Sequence, residues 1–429
     1  MKPEPLSGSE PARAAAERVA RESYGKLVAF LAARERDVAG AEDALGDAFA
    51  AALAVWPRQG VPSNPEGWLV TAARRRLIDG GRRRRNAQAS EQTLTLIADE
   101  LEAAEREAIP DRRLALMFAC AHPAIDTGVR APLMLQTILG LDAAAIGSAF
   151  LVSPAAMGQR LARAKAKIRL AGVPFRIPER EDLPARLEAA LEAIYAAFSL
   201  GWDETFSDDP RGRNLAEEAL WLGRMVVALA PDEPEAKGLL ALMLYAHARR
   251  AARRDRLGRY VPLSEQDTAR WDAGAIEEAE ALLRRASGAR SAGRFQLEAA
   301  VQSAHAARRL TGWTDWEAVA ALYDGLHALT GSPVVAINRA VAAAHTRGPS
   351  EGLALLDAAG RAGGLDAFEP YWVARADLSA RAGDRAAARH AYTTAIGLQT
   401  DPAARAFLVE RLEAVDRGGR SGFHGHETI

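Results

Sequence analysis

The chain has 429 residues, of which 49% are hydrophobic and 26% charged, with a net charge of −1 and one cysteine, Cys120. That length exceeds what one compact core accommodates, so two or three domains are expected. Near-neutrality excludes a uniformly basic nucleic-acid coat, and a lone cysteine excludes an internal disulfide framework and fits a reducing compartment.

The charge is unevenly placed: residues 1–175 carry 24 Lys+Arg against 20 Asp+Glu, and the remainder 31 against 36. The N-terminus, Met1-Lys-Pro-Glu-Pro, lacks the apolar run of a signal peptide, and no stretch approaches the roughly 18 apolar residues that span a bilayer. A cytoplasmic protein without membrane contact is expected.

Alanine and leucine dominate, β-branched alternation is scarce, and apolar spacings of three and four recur, so the fold class predicted is all-α. A first unit spans residues 12–85, with helices over 12–35, 40–56 and 65–84 separated by Gly40 and the Pro/Gly-rich loop Pro57–Pro65. In the second helix Glu42, Asp43 and Asp47 lie to one side and Leu45, Phe49, Leu53 and Trp56 to another. Acidic groups in a first turn are ordinary dipole partners; they equally suit a basic protein surface. In the third, Trp68, Leu69, Ala72, Ala73, Leu77 and Ile78 form the inner face. Arg74, Arg75 and Arg76, followed by Arg82, Arg83, Arg84 and Arg85, place seven arginines in twelve residues. A helix C-terminus explains two or three cations; seven fit a phosphate-binding surface better. Trp68 suits either the core or stacking on an exposed base.

A polar, acidic stretch over 86–109 reads as a linker. The unit that follows, 110–172, contains a helix–turn–helix pattern over 142–169. Asp142 opens a short helix, Leu151-Val-Ser153 turns the chain, Ser153 caps the second helix, and Pro154 occupies its first position. Ile146, Phe150, Met157, Leu161 and Ile168 supply the packing positions. The second helix carries Gln159, Arg160, Arg163, Lys165, Lys167 and Arg169, and no acidic residue occurs between Asp142 and Arg169. One apolar and one purely basic side suit a polyanion, DNA first.

After Pro174–Pro178 the chain becomes a run of helical hairpins. Trp372, Ala376, Gly383, Ala388, Tyr392 and Ala395, with Pro402 beyond, form the best repeat. Ala340, Gly348, Gly352, Leu356 and Ala359 match it about 36 residues earlier, near the tetratricopeptide period of about 34, and Ala279, Leu283 and Ala286 repeat its second half. A tetratricopeptide-like array over 180–415 is expected, with an alanine-rich bundle as the plainer alternative, and a disordered tail over 416–429.

Catalytic chemistry finds no constellation. Cys120-Ala-His122 offers two of the four ligands a closed zinc site needs, so Cys120 is assigned to the core and His122-Pro123 to a helix end. There is no HExxH, P-loop or GxSxG, and His247, His305, His327, His345 and His390 are scattered singly. Neither an enzyme nor a metal or cofactor is expected.

In this order the motifs resemble a known family. Ala41–Phe49 and Gly67–Asp79 with its trailing arginines resemble region 2 of extracytoplasmic-function (ECF) RNA polymerase sigma factors. Gly140–Arg169 resembles their region 4. Gly172–Pro178, Trp202, Pro231–Pro234, Leu239–Met243 and Asn338-Arg-Ala340 look like the subgroup with a C-terminal tetratricopeptide-like domain. The resemblance implies a promoter-specificity subunit whose partners are core RNA polymerase, through its β′ clamp helices and β flap, and promoter DNA. Asp43, Leu45, Asp47, Phe49 and Trp56 would meet the clamp. Trp68, Arg74, Arg75, Arg76, Arg82 and Arg83 would hold the −10 element. Gln159 and Arg163 would face −35 base edges, with Arg160, Lys165 and Lys167 on phosphates. The C-terminal domain would be regulatory and would meet a regulatory protein. Gly46, Ala145 and Gly158 depart from the family pattern; the first weakens the clamp-facing helix by about 1 kcal/mol. The alternative from the residues alone is a helix–turn–helix regulator with a ligand- or peptide-sensing array that leaves polymerase alone, or a scaffold that has lost DNA binding.

Overall fold

A computed structural model describes residues 9–83, 109–150, 152–179, 181–203, 215–288, 292–361, 363 and 365–417. The predicted 86–109 linker falls almost wholly outside these residues, as does the 416–429 tail apart from its first two positions. The described residues are all-α, with one isolated antiparallel bridge between Arg254 and Tyr260. They divide into two compact units, Met1–Leu222 and Gly223–Ile429.

The first unit opens with α1 (Ser9–Glu35), α2 (Val38–Gln59) and α3 (Pro65–Arg83), which pack against one another. Helix α2 starts where Asp37 accepts from Gly40 N at 3.2 Å, and it buries Val38, Ala41, Ala44, Leu45, Ala48, Ala52 and Trp56 at helical spacing. It runs three residues past the predicted end. Pro57 lacks only its own amide donor, and the helix stops at Gly60, whose φ of +87° a side chain would resist. Pro65 starts α3 without cost, with Asn64 Oδ1 accepting from Gly67 N at 3.0 Å. Leu69 and Ala73 are buried as expected, but Ile78 is 55% exposed.

Among the described residues four helices follow: α4 (Arg113–Cys120), α5 (Thr127–Leu139), α6 (Ala143–Ala149) and α7 (Pro154–Leu170). Every residue of α4 from Leu114 onward is buried. Cys120 is fully buried with its Sγ 3.5 Å from Thr137 Oγ1, and burial pushes its thiol up to about 12; His122 Nδ1 accepts from Ala124 N in the turn beyond. Helix α8 (Leu183–Asp203) packs on α4 and α5, burying Leu187, Leu191, Ile194 and Phe198. The chain then enters α9 (Leu215–Leu229), within which the division between units falls.

The second unit is a succession of antiparallel hairpins: α10 (Pro234–Ala248) with α11 (Ala273–Ser287), α12 (Arg294–Ala306) with α14 (Trp316–Thr330) across the short α13 (Arg308–Thr311), α15 (Pro333–Thr346) with α16 (Pro349–Arg361), and α17 (Glu369–Ala382) with α18 (Arg385–Leu398). Helix α19 (Pro402–Asp416) follows. The repeat positions have the jobs their sizes imply. Ala376, Ala388, Tyr392 and Ala395 are buried at the α17–α18 seam, and Gly383 ends α17 at a φ of +86°. At Gly352 a Cβ would lie 2.6 Å from that of Ala344 and 2.8 Å from the Ala340 carbonyl, so α15 and α16 approach that closely only without one.

One segment departs from the hairpin run. The α10–α11 connection, 249–272, crosses to the last helix, 147 residues away for its longest ion pair. Arg254 pairs with Asp401, Tyr260 meets Phe407 edge-on at 5.4 Å, Glu265 pairs with Arg411, and Arg308 donates to the carbonyls of Ser264 and Gln266 at 2.9 Å each.

Asp377 in α17 is 1% exposed; its Oδ2 lies 3.5 Å from Arg381 Nη1 and its Oδ1 has no hydrogen-bond partner. Burial outweighs the attraction of Arg381 and pushes the carboxyl up to about 7. Between the ordinary carboxylate range and pH 7 the folded chain keeps a proton that the unfolded chain has released. Stability from this group is therefore complete at acid pH and lost as pH rises to 7. Asp377→Asn, which is neutral at every pH, is expected to remove that slope. Urea titrations at pH 5 and pH 8 check it; a slope equally steep in the variant would contradict the assignment.

Candidate nucleic-acid interface

Helix α7 is built for exposure on one side. Ser153 Oγ accepts from Ala156 N at 3.3 Å, Pro154 follows, and Met157, Leu161, Ala164 and Ile168 are buried. The tight approach to α6 uses Gly147, where a Cβ would lie 2.6 Å from the Val152 carbonyl; Asp142 caps α6 by accepting from Ala145 N at 2.7 Å. Gln159, Arg160, Arg163 and Lys167 are exposed. Among the exposed described side chains of α7 none is acidic, so the face presents a positive potential.

Lys165 stands elsewhere. Its Nζ lies 2.6 Å from Glu42 Oε2 in α2, with side chains only 14% and 10% exposed. Arg169 Nη1 similarly lies 3.2 Å from Asp37 Oδ2. Burial raises the Glu42 carboxyl against the attraction of Lys165. Neither partner was legible from spacing, because 123 residues separate Lys165 from Glu42.

The arginines of α3 divide by position. Arg76 is exposed and 3.3 Å from Asp47 Oδ2; Arg74 and Arg75 are half-buried, with the Arg74 guanidinium 4.9 Å over the Phe30 ring. Arg82 and Arg83 close α3, and Arg84 and Arg85 lie outside the described residues. Trp68 is half-buried and meets Trp56 edge-on at 5.5 Å. The foot of α3 is pinned by Glu66, which accepts from Ser23 Oγ at 2.5 Å and Lys26 Nζ at 2.9 Å; these bonds outweigh burial and hold its carboxyl below the usual range.

The predicted clamp-facing residues also divide. Asp43 and Asp47 are exposed and Phe49 half-buried, whereas Leu45 and Trp56 are in the core, where they set the helix rather than meet a partner. Gly46 has open space around its Cβ position, so no packing need explains it. The signal that separates the two sets is the helical period itself: Leu45 shares a face with Ala41, Ala48 and Ala52.

Sigma-70 region 2 matches residues 19–87, from within α1 through α3, and a family of unknown function, DUF6596, matches residues 186–287. The chain is also 37% identical over 379 residues to an uncharacterized protein, R00370, of Rhizobium meliloti (strain 1021), a stretch that covers 87% of this chain and 89% of the relative. No solved structure matches it. The chain therefore belongs to the family of R00370 and carries the region 2 domain of RNA polymerase sigma factors. That domain supports a sigma factor acting in transcription initiation, with core polymerase and promoter DNA as its partners. No helix among the described residues is long and apolar enough to cross a membrane.

Proposed function

We propose that the chain is an ECF-type sigma factor, non-enzymatic and cytoplasmic, that brings core polymerase to promoters bearing −10 and −35 elements. The observation that carries this is the coincidence of the region 2 match with a three-helix bundle that presents Asp43, Asp47 and Arg76 outward, followed in the same chain by an α6–α7 pair with an exposed basic face. One reading helix suffices for a simple regulator; a second basic surface on a region 2 bundle favours initiation.

In this reading Asp43, Asp47 and Phe49 meet the β′ clamp helices, and Leu45 and Trp56 support them from within. Trp68 and Arg74, Arg75, Arg76, Arg82 and Arg83 serve the −10 element. There, protein groups replace stacking lost by a base that leaves the duplex. Gln159 and Arg163 face −35 base edges while Arg160 and Lys167 contact phosphates, with Lys165 joining them once released from Glu42; the β flap meets the same domain. Residues 12–85, 86–109 and 110–172 are then region 2, linker and region 4. Within the expected 180–415 domain, the hairpins from α10 onward, of tetratricopeptide-like pattern, act as a regulatory domain for a protein partner, while α8 belongs to the core of the first unit.

The test is binding to core polymerase, measured by co-purification and by titration. Wild-type chain is expected to bind. Asp47→Lys places a cation against the basic partner and is expected to weaken binding by roughly 1–3 kcal/mol, with only a small fall in melting temperature because its pair with Arg76 is solvent-exposed. Equal affinity in the variant would remove α2 from the polymerase interface.

A further inference from the structure

The 249–272 connection is longer than joining α10 to α11 requires. Its ends meet, because Asp272 N donates to the Ala248 carbonyl at 2.9 Å, so the chain leaves α10, crosses the unit and returns to where it began. Neighbouring helices are usually joined by about two to eight residues, and a long excursion whose ends lie together is a common form of functional loop.

The base of the excursion is fixed, with Ala252, Gln266 and Trp271 buried and Trp271 Nε1 donating to Gln266 Oε1 at 3.2 Å. Arg308 holds the returning limb through the Ser264 and Gln266 carbonyls and lies 5.2 Å over the Trp271 ring. Beyond this base, residues 253–261 form a small hairpin with its own bonds. Arg254 and Tyr260 stand opposite each other in the antiparallel bridge, Asp255 N donates to the Arg259 carbonyl at 3.0 Å, and Val261 N to the Arg253 carbonyl at 2.9 Å. Its tip buries little, Leu257 being 78% exposed.

The hairpin is seated on α19 through side chains. Arg254 pairs with Asp401, whose side chain is 40% exposed, and Tyr260 lies edge-on to Phe407. Phe407 also carries the Arg411 guanidinium 4.8 Å over its ring. An ion pair open to water contributes little, so the seat is held by one ring contact and a weak pair while the hairpin keeps its shape unaided. That is how a ligand is bound, and a core element is held otherwise.

We propose that the 253–261 hairpin is an internal ligand, and that its seat, Asp401 and Phe407 of α19, is a docking site for a partner protein's loop that presents an arginine beside a tyrosine. The inference rests on the reading that the hairpins from α10 onward serve a protein partner, and it names the site and the chemistry recognised. A tethered competitor acts at an effective concentration of about a millimolar, so a free segment competes poorly until the hairpin is moved or removed.

The Val261–Arg253 bond is the one that closes a two-residue turn, so replacing Arg254–Tyr260 by Asn-Gly empties the seat and leaves the base in place. The probe is a cyclic peptide of residues 253–261 with benzoylphenylalanine at the tyrosine position, and cross-links are located by mass spectrometry. The shortened chain should cross-link within 401–411 at least tenfold more than wild type. Asp401→Asn in the shortened chain should lower the yield severalfold without loosening α19, since asparagine caps a helix as well as aspartate. Arg254→Ala in the peptide should give the same loss, and the two losses should not add. Equal yields from wild-type and shortened chains, or no response to either change, overturn the docking site. Should the shortened chain fail to fold, hydrogen exchange in the full-length wild type decides. The Asp255 and Val261 amides should exchange before those of α10, and exchange as slow as that of α10 would make the hairpin part of the core. None of these readouts involves polymerase, so a chain that obeys them yet ignores polymerase keeps the docking site and loses the sigma-factor reading.

Discussion

A chain ending at Gly172 is expected to aggregate, while one ending at Asp203 stays folded. The resemblance draws a boundary after 172, but α8 is part of the first unit's core. Its Leu187, Leu191, Ile194 and Phe198 are at most 4% exposed and pack on α4 and α5. At roughly 1.5–3 kcal/mol for each large apolar side chain, their loss is on the order of 6–12 kcal/mol, comparable to the whole stability of a typical domain. It would also bare α4, which has no polar face to turn to water because Leu114 through Cys120 are all buried. Size-exclusion chromatography and thermal melts of the two truncations make the comparison with one helix as the only difference. Equal melting temperatures would show that α8 is dispensable to the fold.

Arg163→Ala is expected to cost about 1–3 kcal/mol of binding to a −35 duplex and to relax sequence preference at one position, with polymerase binding unchanged. Arg163 is exposed on the face of α7 opposite Leu161 and Ile168, and its Nε donates to the Gln159 carbonyl at 3.3 Å, which leaves the guanidinium tip free to reach outward. Lys167→Ala gives the contrasting signature. It should weaken all duplexes alike and lower the slope of log affinity against log salt by about 1, as a phosphate contact does. Fluorescence anisotropy at several salt concentrations separates the two. If Arg163→Ala weakened all sequences equally, the residue would be a phosphate contact and the base-reading assignment would fall to Gln159.

What the residues declared in advance and what they withheld follow a physical division. The start of α7 was legible because Ser153, Pro154 and the buried positions Met157, Leu161 and Ile168 are local signals, each acting within a turn or two. The α3 start at Pro65 and the α17–α18 repeat were legible for the same reason. Lys165 looked like its neighbours along a basic helix and took a different role, because its partner comes from α2 and only the tertiary packing of α5 on α1 brings them together. Trp56 and Leu45 sit at core positions of a helix also read as a partner surface; the helical period distinguishes them from Asp43 and Asp47. The 249–272 crossing leaves no local signature in the residues that form it. It has no apolar period, and its partners Asp401, Phe407 and Arg411 lie far along the chain, although Gly258 and Pro262 in its midst mark a stretch that cannot be helix throughout.

The region 2 match gives this chain a direct assay. Purified protein added to core polymerase should yield transcripts from discrete start sites on bacterial genomic template, and at limiting protein Asp47→Lys should lower their yield in step with its weaker polymerase binding while the fold persists. Promoter-independent background identical to that of core polymerase alone, from protein shown to be folded, would contradict a role in initiation and leave a DNA-binding regulator as the reading.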